Sequence, residues 1–156
     1  MEFTKKDLNK TLWVKPEEMD KQRKWYKVDA STKTLGRLAT DIAKKLLWKD
    51  KAYYNDFWDA GDFVIVENVQ DIKVTGKKLA DKLYYSYSGY KGNLKQTTLD
   101  DVLKNDPSKA LKLAVRGMLP KNKLRDQRIK RLKLVVGTTT RYDNFKPINL
   151  YPAKAG

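Results

Sequence analysis

Between Ala114 and Lys133 the chain reads AVRGMLPKNKLRDQRIKRLK, in which Lys121, Lys123, Arg125, Arg128, Lys130, Arg131 and Lys133 face one acid, Asp126. A surface helix ordinarily interleaves acids with bases so that its charges offset one another. Nothing offsets them here, and the chemistry that suits such a segment is neutralisation of a polyanion. Leu124, Ile129 and Leu132 are too few and too unevenly spaced for a wide apolar stripe, so the bases are expected to project over most of the helix, outside any core. A solvated basic face is the competing reading of the same residues.

A second segment with chemical potential runs through Thr75, Gly76, Lys77 and Lys78 into Lys82-Leu83-Tyr84-Tyr85-Ser86-Tyr87-Ser88-Gly89-Tyr90-Lys91-Gly92. Tyrosines among lysines, hydroxyls and glycines can stack on splayed bases while cations take the neighbouring phosphates. Tyrosine is also a good strand residue, so sheet packing competes with RNA contact. Strand alternation puts Tyr85 and Tyr87 on one side, expected to face RNA, and Tyr84 on the other, expected to pack inward. Lys33, Arg37, Lys44, Lys45, Lys49 and Lys51 add a third basic group, with Arg37 and Lys44 opposite the leucines of a helix; solvent exposure explains them equally well.

Catalysis has few places to reside. The chain has no Cys, which excludes disulfides and thiolate chemistry, and no His, which removes the commonest general base and metal ligand near neutral pH. Asp56, Asp59 and Asp62 could form a paired-carboxylate or magnesium site, but carboxylates ahead of a strand more often form turns and caps. Neither G-x-x-x-x-G-K-[ST] nor G-x-G-x-x-G occurs. No cofactor, metal or small-molecule substrate is expected.

The whole chain reinforces the polyanion reading. A formal charge of +15 on 156 residues, with pI near 9.8, attracts a nucleic-acid backbone or an anionic membrane. No apolar run approaches the roughly 18 to 20 residues that span a bilayer, and the basic segment lacks the apolar face of an interfacial helix, so nucleic acid is favoured over membrane. The N-terminus mixes acids and bases without the apolar core of a secretory signal, and the protein is expected to be soluble and intracellular.

The elements that must position these groups alternate strand and helix. Trp25 to Ala30 reads as a strand, and Thr34 is placed to cap a helix whose Leu35, Leu38, Ile42 and Leu46 recur at helical spacing. Asp62 to Glu67 is a nearly continuous apolar strand, as expected at the centre of a parallel sheet. Ile72 to Val74 and Lys82 to Tyr87 read as further extended pieces, and Thr98 opens a short helix. Asp106 caps a helix with Pro107 at its first position and Leu111, Ala114, Val115 and Met118 as its inward stripe. Leu132 to Val136 closes the series, and the class expected is an α/β sandwich. One domain is the default at this length, residues 25–140, with residues 1–24 and 141–156 as extensions over a surface.

These residues resemble a known family. Trp25-Tyr26 with Val28-Asp29-Ala30, Thr34-Leu35-Gly36-Arg37-Leu38-Ala39, Gly61-Asp62 with Val64-Ile65-Val66, Val74-Thr75-Gly76-Lys77-Lys78, Lys82 with Tyr84-Tyr85, Ser88-Gly89-Tyr90 and Arg116-Gly117-Met118-Leu119-Pro120-Lys121 are similar, in order, to the signatures of the large-subunit ribosomal protein thirteen family, bacterial and organellar type. The resemblance covers about residues 25 to 137. It implies a three-layer α/β/α sandwich on a mainly parallel four-stranded sheet, binding to large-subunit ribosomal RNA among neighbouring ribosomal proteins, an early role in subunit assembly, and no catalysis. The ribosome implied is cytoplasmic or organellar. Arg116, Gly117, Met118, Pro120 and Lys121 join the basic and tyrosine segments as candidate RNA contacts.

The chain departs from the family pattern where Gly-Lys-His-Lys becomes Trp48-Lys49-Asp50-Lys51, a Thr-Pro-His turn becomes Asn55-Asp56-Phe57, Pro-Gly-Gly-Leu becomes Lys91-Gly92-Asn93-Leu94, and Gly-Pro-Leu-Gly becomes Asn122-Lys123-Leu124-Arg125. Lost glycines restrict the backbone around Asp50 and Asn122. A free-standing RNA chaperone or RNA-binding regulator would use the same basic surface, and a small nucleotide-handling enzyme would need a phosphate cradle that the motifs do not supply.

Overall fold

The apolar run Phe63-Val64-Ile65-Val66 forms strand β2 (Phe63–Glu67), with Val64, Ile65 and Val66 all buried. Consecutive buried residues in a strand mean that both of its faces are covered. In the computed structural model, which describes residues 16–52 and 54–151, β2 lies beside β1 (Trp25–Asp29) in a parallel register pairing Trp25 with Phe63 and Asp29 with Glu67. Strand β5 (Leu132–Leu134) flanks β2 and β6 (Ile148–Asn149) flanks β1, giving a four-stranded parallel sheet of order β5-β2-β1-β6. Helices flank this sheet, so the fold is α/β with the three-layer arrangement implied by the resemblance.

The C-terminal edge differs from expectation. Ile148–Asn149, expected in a surface extension, supplies the fourth strand, and Leu150 and Tyr151 pack against the core. A two-residue strand between Pro147 and Pro152 carries no periodicity of its own; its pairing with Tyr26 and Lys27 defines it.

Helix α2 (Leu35–Leu47) connects β1 to β2 and buries Leu35, Leu38, Ala39, Ile42, Ala43, Leu46 and Leu47. Thr34 is its N-cap residue, although its side chain makes no capping hydrogen bond. Helix α5 (Pro107–Met118) packs against α2; Asp106 caps it by accepting from the Lys109 amide at 3.2 Å, and Leu111 and Val115 enter the core. Met118, expected in that inward stripe, is instead 42% exposed at the last helical position. The remaining helices are α1 (Pro16–Lys21), α3 (Lys78–Asp81), α4 (Leu99–Asn105) and α6 (Arg125–Lys130). Thr98 caps α4 by accepting from the Asp101 amide.

Strands β3 (Leu83–Tyr87) and β4 (Leu94–Thr98) stand apart from the main sheet as an antiparallel hairpin. Gly89 and Gly92 turn it at φ of 90° and 79°, a region that favours glycine. Gly61 serves another purpose, since a Cβ there would lie 1.8 Å from the Leu46 carbonyl oxygen. Its absence lets the chain entering β2 press against the end of α2.

Candidate nucleic-acid interface

Three blocks far apart in the chain, together with Leu99 at the start of α4, meet in one groove. The first is the start of α2, the second runs from Lys73 to Lys82, and the third is the end of α5. The first two are joined by a parallel bridge between Thr34 and Lys73 and by the Leu35 amide donating to the Lys73 carbonyl at 2.9 Å. Arg37, Lys73, Lys78 and Lys82 line the groove, Leu99 and Leu113 contribute apolar surface, and about 720 Å³ is left open. Met118 also lines it, its sulfur 3.4 Å from the Thr40 hydroxyl, which accounts for its departure from the core. Thr75 and Lys78 are on the lining; Gly76 and Lys77 lie exposed beside them, Gly76 at φ 68°.

The hairpin borders this groove through Lys82. Tyr85 and Tyr87 are 62% and 60% exposed on one face, while Tyr84 is half-buried on the other against the cluster of Leu99, Val102 and Ala110. Burial pushes the Tyr84 phenol above its ordinary pKa. Ser86, Ser88 and Lys91 are exposed, as is Tyr90 at the tip. Tyr87 pairs with Leu94 across the hairpin, and both expose large apolar surfaces. A two-stranded hairpin with an uncovered aromatic face is marginal by itself and suits an external partner.

The basic segment after Pro120 divides into two sets. Lys121, Lys123 and Lys130 are exposed, Arg116 is exposed within 3.9 Å of Asp126, and Arg125 and Lys133 are half-buried. Arg128 and Arg131 are 1% and 5% exposed, which corrects the expectation that they project outside the core. Arg131 donates both terminal guanidinium nitrogens to the Asp59 carboxylate. Arg128 lies 3.5 Å from the same carboxylate and donates to the Asp56 and Trp58 carbonyls at 3.4 Å. They share the buried side with Ile129 and Leu132, because a carboxylate from a distant loop makes burial of the guanidinium groups tolerable. Neither guanidinium group is presented on the exposed surface. The Asp59 carboxylate and the carbonyls of Leu46, Asp56 and Trp58 explain this placement, and no local pattern in the sequence reports it.

The bases on and after α2 divide similarly. Arg37, Lys44 and Lys49 are exposed. Lys33 bonds Asp41 at 2.8 Å and lies 3.8 Å above the Tyr151 ring. Burial works to raise the Asp41 carboxyl, but hydrogen bonds from Lys33 and Tyr151 outweigh it and hold the group below the usual carboxylate range. Lys45 pairs with Asp50 and stacks 4.4 Å over Tyr26, and Lys51 bonds Asp62 at 2.8 Å while lying 4.4 Å over Trp48. Asp62 is fully buried, accepting also from the Lys24 amide at 2.9 Å. Asp59 and Asp62 therefore anchor the fold, and Asp56 accepts from the Tyr54 hydroxyl. No three His, Cys, Asp or Glu residues among the described residues are grouped to hold a metal ion. No described helix is long and apolar enough to cross a membrane.

Comparison with known proteins gives a consistent answer. The family model described as ribosomal protein L13 matches residues 23–141. The chain is 51% identical over 138 residues to large ribosomal subunit protein uL13 of Aquifex aeolicus, covering 88% of this chain and 94% of the relative. It is 44% identical over 140 residues to the protein of that name from Symbiobacterium thermophilum, covering 90% and 96%. A third, from Hahella chejuensis, is 40% identical over 141 residues, covering 90% and 98%.

Proposed function

The chain belongs to the ribosomal protein L13 family, and on that premise we propose that it is a structural constituent of the large ribosomal subunit, bound to large-subunit ribosomal RNA and acting early in subunit assembly. The observation that carries this reading is the exposed cationic groove bordered by a hairpin whose tyrosines face outward. Cations hold phosphates in register and aromatic rings stack on irregular or unpaired bases. The contacts assigned are Arg37, Lys44 and Lys49 along α2, Thr75 to Lys78, Tyr85 to Ser88 with Lys91, and Arg116, Gly117, Met118, Pro120 and Lys121 with Lys123 and Lys130. Lys33, Lys45, Lys51, Arg128 and Arg131 hold the scaffold.

The family is structural rather than enzymatic, and the carboxylates with catalytic potential are engaged in ion pairs or hydrogen bonds. In this reading residues 25–140 carry the RNA-binding surface, 1–24 form an N-terminal extension whose first 15 residues lie outside those described, and 141–156 form a C-terminal extension tied to the sheet by β6. Neighbouring ribosomal proteins are the other partners. Sedimentation of a lysate tests the reading: the protein should travel with large subunits and their precursors. A free-standing RNA chaperone would remain in the light fractions. Affinity for the RNA should also fall on the order of a thousandfold between roughly 50 and 200 mM salt if about six phosphates are contacted.

A further inference from the structure

We propose that the groove between α2 and α5 seats a stretch of RNA sugar-phosphate backbone, which approaches the two helices closely because residues 36 and 117 are glycine. This rests on the RNA-binding reading above and adds where, and by what device, the backbone is held. Gly36 is the second residue of α2 and Gly117 the last but one of α5. Glycine in a helix is less favourable than alanine, so each position needs a reason. The fold does not provide one. Neither glycine is at positive φ, and a Cβ built on either meets no atom within 4 Å, in contrast to Gly61, whose Cβ would strike the Leu46 carbonyl.

Both glycines line the groove, so the space left by their missing side chains is continuous with it. The charge of the lining identifies the occupant. Arg37, Lys73, Lys78 and Lys82 contribute cations, and no carboxylate is found among the described residues that line it. Such a surface complements phosphate oxygens. The lining also holds no aromatic ring, whereas the neighbouring hairpin exposes Tyr85 and Tyr87. The surface thus divides its work: phosphates and sugars in the groove, bases on the hairpin.

The test uses the full chain and a large-subunit ribosomal RNA transcript, with Gly36→Ala, Gly117→Ala, Gly117→Leu and Tyr85→Ala variants. Thermal midpoints and RNA affinities are measured for each. The alanine variants should melt at or above the wild-type temperature yet bind on the order of tenfold more weakly, and Gly117→Leu should bind more weakly still. A midpoint several degrees lower for the alanine variants overturns the proposal, because the glycines would then serve the fold. Unchanged affinity in the glycine variants, with Tyr85→Ala weakened, removes the groove from the interface and leaves RNA binding standing. Wild-type protein that does not bind the transcript removes the RNA-binding reading itself. Glycine variants that bind RNA normally but fail to enter subunits overturn it in favour of a neighbouring protein in the groove.

Discussion

Arg131 grips Asp59 through both terminal nitrogens of its guanidinium group across 72 residues of chain. Arg128 lies beside the same carboxylate, so one acid compensates two buried cations. Breaking a buried pair by removing one partner strands the other charge in a poorly solvated site, at about 3 to 5 kcal/mol. Asp59→Ala should therefore destabilise the protein by about 3 kcal/mol, since the carboxylate keeps some access to water. Arg128→Ala and Arg131→Ala should also unfold early, whereas Lys121→Ala and Lys130→Ala should melt normally and bind RNA more weakly. Denaturant titration of the five variants checks the division.

The hairpin tyrosines should separate by face. A ring stacked on a base contributes roughly 1 to 3 kcal/mol, so Tyr85→Ala and Tyr87→Ala should lower RNA affinity about fivefold to more than a hundredfold at unchanged thermal stability. Tyr84→Ala should do the reverse, because its ring packs against Leu99, Val102 and Ala110. A Tyr85→Ala protein that melts early and binds normally would reverse the assignment.

The contrast between Tyr84 and Arg128 shows what a sequence can report. Leu35, Leu38, Ile42 and Leu46, the Asp106-Pro107 cap and the β2 run were legible because each signal is local: helical spacing, a cap and a continuous apolar stretch. The tyrosine alternation was legible for the same reason. Burial of Arg128 and Arg131 depends on a carboxylate in another part of the fold, and β6 depends on the strand it pairs with. Strand β4, LKQTT, has no apolar alternation and is defined by its register with β3. The groove was hidden because its walls come from three blocks that only the fold unites.

Trp48 offers a test of competing magnitudes. It ends α2 at φ 66°, its amide donating to the Lys45 carbonyl at 3.2 Å while the Lys49 amide reaches the Lys44 carbonyl at 3.2 Å. This is the left-handed helix terminus that glycine usually occupies, and a non-glycine residue there costs about 1 kcal/mol. The indole is fully buried and clusters with Ala60 and Trp58, and losing such a side chain costs about 3 to 5 kcal/mol. Packing wins, so Trp48→Gly should destabilise by about 2 to 4 kcal/mol. Trp48→Ala should be worse by about 1 kcal/mol, the opposite of the order found inside a helix. Chemical denaturation of the two variants decides it.

Asp41 joins α2 to the C-terminal segment by accepting from Lys33 at 2.8 Å and from the Tyr151 hydroxyl at 2.7 Å. Its pKa in the folded protein lies below the ordinary 3.8: burial opposes the shift, and the two hydrogen bonds overcome it. As pH falls through 3.8 the unfolded chain takes up a proton that the folded chain still refuses. The stabilisation is thus present above that value and is lost as pH drops through the lower folded one. Asp29 acts in the same direction, since the Ser31 amide hydrogen bond lowers its pKa. Stability measured from pH 6 to about pH 2 should therefore decline for the wild type, and Asp41→Asn should show a shallower but still measurable decline, the remainder including Asp29. Tyr151→Phe removes one of the two donors and should give an intermediate slope. A slope identical to wild type in both variants would show that Asp41 does not sense folding.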